Sequence, residues 1–583
     1  MDFATARVIL SNFRDRIEVD SEGRFRLEGR ITEKELAALD LLIRGVATSV
    51  DTSDALLPSV AERDASVRSD GIGVAPVLVA DPARPETVVD VEVDLSTLAL
   101  PEAKSEYRVC LDFGTAMSKA TFVNDNEEAN FEEIRVLRLG IPGNQEEIDE
   151  VMLVSSLFVD DSSRIWFGQN AVEQAESSPD GPRSRLDNIK RWLSEGNLGT
   201  PVDRDHNPTG CEITYEHLVL AYLTFFTWTV NRALLSDAAD LTVPRNFNRR
   251  FAMPCFPRAN AKVVEQKLKS LLGEAQVLAD TFDQEVDKGL DLGRFIAAVN
   301  QLRATKRDYP FITASLTEPL GVAGSMLSWR STYDALALVV DVGAGTSDFS
   351  LYRLSVVLDD EGDVDTARAT AMEVDKSARG ITEAGNHLDK ILKGLVLRRS
   401  GVTSEHPKFI NISYDLERNI RSYKESLFTT GSAYIVLYSG EAIEVTLEEF
   451  LDQGAVREFE TSLQRTMVEL LEAVNPEFMT WIRVNPRRNL TVVLTGGGAG
   501  LPMARKLARG SVMVNGSLIP VAAAQAFPAW LQQDYPDLED HYGRIAVSLG
   551  GARKNVIQAR GVATTTGSGL GGHRLESFPT RGV

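Results

Sequence analysis

Two stretches place carboxylates beside turns of glycine and hydroxyl residues. Tyr107–Val123 reads YRVCLDFGTAMSKATFV and Ala337–Leu354 reads ALVVDVGAGTSDFSLYRL. Each is an apolar strand ending in Asp, then x-Gly, a turn of small and hydroxyl residues, and a second strand. Asp112 and Asp341 open the two turns, 229 positions apart. Gly114, Gly343 and Gly345 permit tight turns and close backbone approach. Their N–H groups, with the hydroxyls of Thr115, Ser118 and Thr346, can form concavities that bind phosphate. Asp112, Asp341 and Asp348 would repel phosphate unaided, and a hard divalent cation such as Mg²⁺, held by carboxylates through water, resolves that conflict. One such stretch alone is an ordinary hairpin with a polar turn. A matched pair points to a site.

A third element, NLTVVLTGGGAGLP, gives a strand over Thr491–Leu494, a turn at Gly496, Gly497 and Gly498, and a helix starting at Pro502. Strand, glycine turn and helix N-terminus make a nucleotide-binding junction.

The elements that must position these turns follow from the rest of the chain. Its 583 residues carry 62 Lys and Arg against 84 Asp and Glu, a net charge of −22. That acidity argues against a broad nucleic-acid surface, which needs clustered basic residues. Three well-separated cysteines, Cys110, Cys211 and Cys255, form neither a disulfide framework nor a CxxC zinc motif and suit a reduced compartment. Cys110 and Cys255 are expected to pack as small hydrophobes. The six histidines show no metal-ligand spacing. The longest uncharged apolar run, LVLAYLTFFTWTV over Leu218–Val230, is 13 residues against about 20 for a membrane span, so it reads as a buried helix. No signal peptide is read at the start, and a soluble, cytoplasmic protein with no membrane contact is expected.

Four regions are expected. Residues 1–49 read as a small mixed α+β unit: a helix over 3–17, a hairpin in EVDSEGRFRLEG, and a second helix opened by the capping box Thr32-x-x-Glu35. Residues 50–105 read as an extended linker with at most one strand, VVDVEVDL. The main body, 106–555, alternates strand and helix signals, which favours α/β layers. Residues 556–583 read as a flexible Gly/Thr-rich tail whose GSGLGG follows no strand and opens no helix. VMVNGSLIPV, with its Asn515-Gly516 turn, reads as a hairpin on the body.

The three motifs, in this order, resemble the superfamily of actin, sugar-kinase and heat-shock-chaperone ATPases. DFGTAMSK is similar to its first phosphate motif, DVGAGTSD to its second and LTGGGAGLP to its adenosine motif. Further stretches resemble the DnaK-type heat-shock chaperone ATPase domain. SSLFVDDSSRIWFGQNAVEQA with DNIKRWL resembles the segment carrying that family's catalytic Lys-Arg pair, here Lys190-Arg191. RFAMPCFP resembles its switch strand at Pro254, SLTEPLGVAG its Glu-Pro segment at Glu318-Pro319, and HYGRIAVSLGGA its closing helix. The resemblance covers about 106–555. It implies a two-lobed actin-like fold of duplicated ribonuclease H-like lobes and a slow ATP hydrolase binding ATP or ADP with Mg²⁺.

It also implies roles. Asp112 and Asp341 position the hydrated metal, and Asp348 supports the second turn. Glu318 aligns the attacking water, and Lys190 stabilises charge on the transferred phosphoryl group. Gly114, Thr115, Ala116, Met117, Ser118 and Lys119 hold phosphate from one side. Gly343, Ala344, Gly345 and Thr346 hold it from the other, and Lys424 with Gly496, Gly497 and Gly498 receives the nucleoside. Spacing alone leaves Lys190-Arg191 equally a solvated helix face, Glu318-Pro319 a plain helix start and Pro254 a strand end.

The departures are as informative. NIRSYKESLF keeps Lys424 but puts Arg421 and Glu425 where the chaperones hold adenosine with a Glu and an Arg, and the adenosine motif's usual Arg is Gly500. Met117-Ser118-Lys119 resembles the actin version, whose Lys touches phosphate, so Lys119 and Lys190 are candidates for the same work. An insertion relative to a chaperone spans about 283–308. The 33 residues after Gly550 leave no room for a chaperone's client-binding domain, so the expected output is an unidentified protein partner, possibly bound through residues 1–105, or an oligomer. Other readings are a nucleotide-binding scaffold with negligible turnover, an actin-like filament protein, and a small-molecule kinase.

Overall fold

The computed structural model describes residues 17–19, 25–27, 91–103, 106–126, 131–140, 150–177, 184–194, 196–254, 258–328, 331–361 and 370–553. The chain divides into two units, Met1–Glu86 and Thr87–Val583. In the first, Ile17–Val19 pairs antiparallel with Phe25–Leu27, the hairpin expected around the Ser-Glu-Gly turn. The helix expected over 3–17 lies outside the described residues except at Ile17, which belongs to this strand instead; the helix expected after Thr32, the tail from 556 with its GSGLGG, and Cys255 lie outside them too.

The second unit is mixed α/β. Its first large sheet runs in the order Ile312–Thr317, Asn248–Met253, Tyr107–Asp112, Met117–Asn126, Phe131–Val136, with Leu153–Val154 pairing on Met117–Asn126. Its second runs Thr370–Glu373, Ser347–Val356, Tyr333–Val342, Leu490–Thr495, Ser517–Ala523, Ser511–Val514. The two expected hairpins occupy corresponding places. Each has an Asp-ended strand paired antiparallel with the strand that follows it and parallel with a neighbour on its other side: Asn248–Met253 in one sheet, Leu490–Thr495 in the other. Tyr333–Val342 carries the near-continuous apolar run ALALVV, as a strand covered on both faces must, whereas Asn248–Met253, NRRFAM, is apolar only over its last three residues. Register is equivalent too. Asp112 lies opposite Lys119, and Asp341 opposite Asp348.

Each sheet has its own core. The first packs on the helices Tyr215–Asp237 and Arg258–Thr281. The former contains the long apolar run, and it is the helix among the described residues long and apolar enough to cross a membrane; 83% of that stretch is buried inside the protein. His217 caps it, since Thr214 N–H donates to His217 Nδ1 at 3.1 Å. The second core is roofed by Gly385–Arg399, Phe409–Thr430, Gly454–Ala473 and Pro476–Arg483. The insertion forms a strand, Leu290–Asp291, that pairs with Arg164–Phe167, followed by the helix Leu292–Arg303. The hairpin around Asn515-Gly516 forms as expected.

The linker expectation fails at its end. Residues 91–103 pack on the body: Thr97 is fully buried and donates its hydroxyl to Asp280 at 2.6 Å, and Asp94 N–H donates to Thr281 Oγ1 at 3.0 Å. No strand forms over 91–95 either; a single 3₁₀ turn, Ser96–Ala99, follows. Long-range capture by the helix Arg258–Thr281 overrides the polar composition that suggested a linker.

A third core joins the two sheets. Through it run the helices Glu318–Met326 and Tyr542–Ala552, the latter the expected closing helix. They touch backbone to backbone. A Cβ added at Gly550 would lie 1.8 Å from the Gly321 carbonyl oxygen, and one at Gly321 would lie 2.5 Å from that of Val547. Cys110 packs beneath the same helix, as a small apolar side chain does: a Cβ at Gly551 would come within 2.4 Å of its sulfur. Gly550→Ala must therefore push these helices apart, and a loss of about 1–3 kcal/mol is expected from urea denaturation. A loss under about 0.5 kcal/mol would show that the helices re-space freely.

Candidate functional site

The two Asp-x-Gly turns meet. A Cβ at Gly345 would come 3.1 Å from both Oγ1 and Cγ2 of Thr115, so the second turn lies against the first. Each turn is tight. At Gly114 a Cβ would sit 1.9 Å from the Met117 carbonyl oxygen, which excludes every side chain. In the other turn Gly343 N–H donates to the Thr346 carbonyl at 2.9 Å. The N-terminus of Gly385–Arg399 braces it, with Gly385 N–H donating to the Gly343 carbonyl (3.1 Å) and Asn386 N–H to that of Ala344 (2.8 Å).

The glycine turn after Leu490–Thr495 joins them. Gly496 has φ +81, and a Cβ there would fall 2.2 Å from Asp341 Oδ1. Both the left-handed backbone and the space demand glycine. Gly498 N–H donates to the Val342 carbonyl at 2.8 Å, while Gly497 faces open space. Three segments far apart in sequence thus converge on Asp341.

Charge concentrates at that point. Asp112, Asp341, Asp348 and Glu318 are each at most 9% exposed, as is Lys190. Lys190 begins the short helix Lys190–Ser194 and Glu318 begins Glu318–Met326; Lys190 Nζ lies 2.5 Å from Glu318 Oε1. Lys119 Nζ lies 3.5 Å from Asp112 Oδ2. Burial, then Glu318, Asp348 and Asp112, push the Asp341 carboxyl well above the ordinary 3.8, against the opposing pull of Lys119. Burial works to depress the Lys190 ammonium, but Glu318, Asp112 and Asp348 outweigh it and hold the group above its usual value. The Thr346 hydroxyl donates to Asp348 Oδ2 at 2.8 Å, which ties Asp348 to the second turn.

The outlying candidates divide. Lys424 Nζ donates to the Gly385 carbonyl at 3.0 Å and lies 2.8 Å from Asp389 Oδ1, beside the second turn. Arg421 is half-buried and Glu425 exposed on the same helix; Arg191 is exposed. Pro254 directly follows the strand Asn248–Met253. Ser118 corrects an expectation. Its hydroxyl is fully buried and bonded to Ser155 Oγ (3.1 Å) and Tyr222 OH (3.0 Å), so it lies on the covered side of the turn and offers nothing to phosphate. Neither Ser155 nor Tyr222 was legible as a site residue. Asn188 and Asn386, bonded at 3.0 Å between the Lys190 helix and the second turn, were missed too.

No family model matches the chain, and no curated protein does either. The site therefore stands on its own geometry. Among the described residues no group of three His, Cys, Asp or Glu side chains is placed to hold a metal ion by itself. The donor set instead suits a hydrated Mg²⁺, which keeps its waters and needs only one or two carboxylates beside a phosphate. The crowding that raises the Asp341 pKa is the excess of negative charge such a cation relieves.

A pH dependence follows. A carboxyl held above its unfolded value contributes stability that is full below 3.8 and lost as pH rises through the folded value. In metal-free buffer Asp341→Asn is expected to melt higher than the parent at pH 7, with the gap closing as pH falls toward 4. Thermal melts from pH 4 to 8 check this; a gap that is absent or constant would refute the crowding.

Proposed function

We propose that this chain is a Mg²⁺-dependent ATP-binding and hydrolysing conformational switch on a two-lobed, actin-like frame, closest in kind to the DnaK-type heat-shock chaperone ATPase domain. The observation that carries the reading is the meeting of Thr115 and Gly345 beside four buried carboxylates and Lys190. Phosphates would lie between the two turns, against their backbone N–H groups. Bound Mg²⁺, near Asp112 and Asp341, would offset phosphate charge. Glu318 would accept a hydrogen bond from the attacking water, and Lys190 would face the oxygens where negative charge grows. Phosphoryl transfer asks mainly for such positioning and electrostatics. The nucleoside would lie toward Gly496–Gly498 and Lys424.

Because each turn belongs to a different sheet, a ligand that bridges them favours one relative placement of the two halves, and loss of its terminal phosphate releases that preference. The output would pass to a protein partner in the cytoplasm, through residues 1–105 or the surface of the body. A second reading, a nucleotide-binding scaffold with negligible turnover, draws on the Lys190–Glu318 ion pair at 2.5 Å, which engages the carboxylate that hydrolysis requires.

Phosphate release from Mg·ATP, measured beside Asp341→Ala, tests the proposal. Slow release is expected, reduced at least about 100-fold by the substitution. No release from either protein with ATP still bound supports the scaffold; no nucleotide binding at all defeats both readings.

A further inference from the structure

Beneath the first turn lies a chain of hydroxyls anchored on its backbone. Ser155 Oγ donates to the Gly114 carbonyl at 2.9 Å, which uses its only proton. With that proton spent, Ser155 Oγ accepts from Ser118 Oγ, 3.1 Å away, when Tyr222 donates to Ser118 rather than to the Val154 carbonyl at 3.4 Å. Tyr222 OH, 3.0 Å from Ser118 Oγ and 3.1 Å from Ser155 Oγ, heads the chain as donor. It remains a neutral phenol across the physiological range, since burial pushes its pKa up to about 12 against its hydrogen bonds with the two serines. All of this is closed to water: Tyr222, Ser118 and Ser155 are fully buried. The backbone of Ser155 grips the turn a second time, its N–H donating to the Ala116 carbonyl at 2.8 Å.

One residue thus pins two peptide planes of the turn. In a trans peptide the N–H points opposite to the C=O. Fixing the Gly114 carbonyl toward the hydroxyls therefore turns the Thr115 N–H away from them, on the side open to a ligand. That N–H has no partner among the described residues. Successive donations also polarise one another, so a carbonyl bonded this way makes its own amide N–H a stronger donor.

We propose that Tyr222, acting through Ser118 and Ser155, is a positioning residue that aims the Thr115 N–H at the phosphate of a bound nucleotide. The proposal rests on the nucleotide reading of the site and adds a device to it. Tyr222 has a second hold on the same place. Its ring stacks on Phe113 at 5.5 Å, and Lys190 Nζ lies over the other partner of that stack, 5.9 Å from the Phe113 centroid. The ring supports the lysine and the hydroxyl supports the turn, so removing the hydroxyl alone separates the two.

The test compares the full-length parent with Tyr222→Phe, Ser155→Ala and the double variant. Mg·ATP affinity, KM and kcat are read, with hydrogen exchange of the peptide spanning Thr115 in nucleotide-free protein. Each single variant is expected to weaken Mg·ATP binding and raise KM about tenfold, as loss of a residue that orients a binding group does, with kcat within about twofold. Because the chain is serial, the double variant should be little worse than the worse single one. Exchange at the turn should quicken in each. Variants that melt lower yet bind ATP as the parent does would show a merely structural role and overturn the proposal. So would losses that multiply in the double variant, or unchanged exchange. A parent that binds no nucleotide would instead bring down the nucleotide reading, and this inference with it.

Discussion

Four carboxylates occupy a region that water scarcely reaches, and two ion pairs, Lys190 with Glu318 and Lys119 with Asp112, keep it tolerable. Taking one partner from a buried pair typically costs about 3–5 kcal/mol, because the other is left charged and unpaired. The neighbouring acids raise the stakes. Asp112 and Asp348 help hold the lysine protonated, and Asp341, which forms no ion pair among the described residues and feels only the weaker pull of Lys119, is driven toward its neutral form. Such an arrangement does not arise from favourable local energies. It persists because two sheets, a bracing helix and a glycine loop leave its members nowhere else to go, which is how strained or frustrated groups survive at functional sites.

The symmetry of the two hairpins makes the asymmetry of their charges readable. Strand pairing puts Asp112 across from Lys119 in one and Asp341 across from Asp348 in the other. In the first hairpin the acid meets a base 3.5 Å away; in the second, acid meets acid, and Asp348 is steadied by the Thr346 hydroxyl. The first acid is compensated within its own hairpin. The second stays crowded despite the pull of Lys119, and it belongs to the half on which the glycine loop and the Lys424 helix also converge.

Much of this site was legible because its requirements are local. An Asp followed by x-Gly at a strand end, twice, is a pattern the eye can find, and the space at Gly114 and Gly496 shows why no other residue would serve. The pleat of a strand was legible too, and it was underused. If Lys119 faces the acids, Ser118 faces the other way, and its burial follows from the period of two. What could not be read were partners brought in from afar. Tyr222 sits in a helix that is apolar on every side, so no stripe announces which face meets the turn, and Ser118 is 104 positions from it. Thr97 looked like linker because its partner, Asp280, is 183 positions away.

The same long helix sets how firmly the site is held. Tyr215–Asp237 is buried along most of its length, so it cannot shift without disturbing the first core as a whole. Fixing both the turn and the Phe113–Lys190 stack from one residue of such a helix ties their positions together. The second turn is held otherwise, by the backbone of Gly385 and Asn386 at a helix end. Between them the sheets are joined by helices whose glycine backbones touch and whose side chains also meet, Ser325 Oγ lying 2.8 Å from Tyr542 OH. Each turn is therefore held from its own side, the first by a buried helix and the second by a helix end. Under the proposed reading, in which both turns contact one bound group, an event at the turns would reach the two sheets through these separate holds.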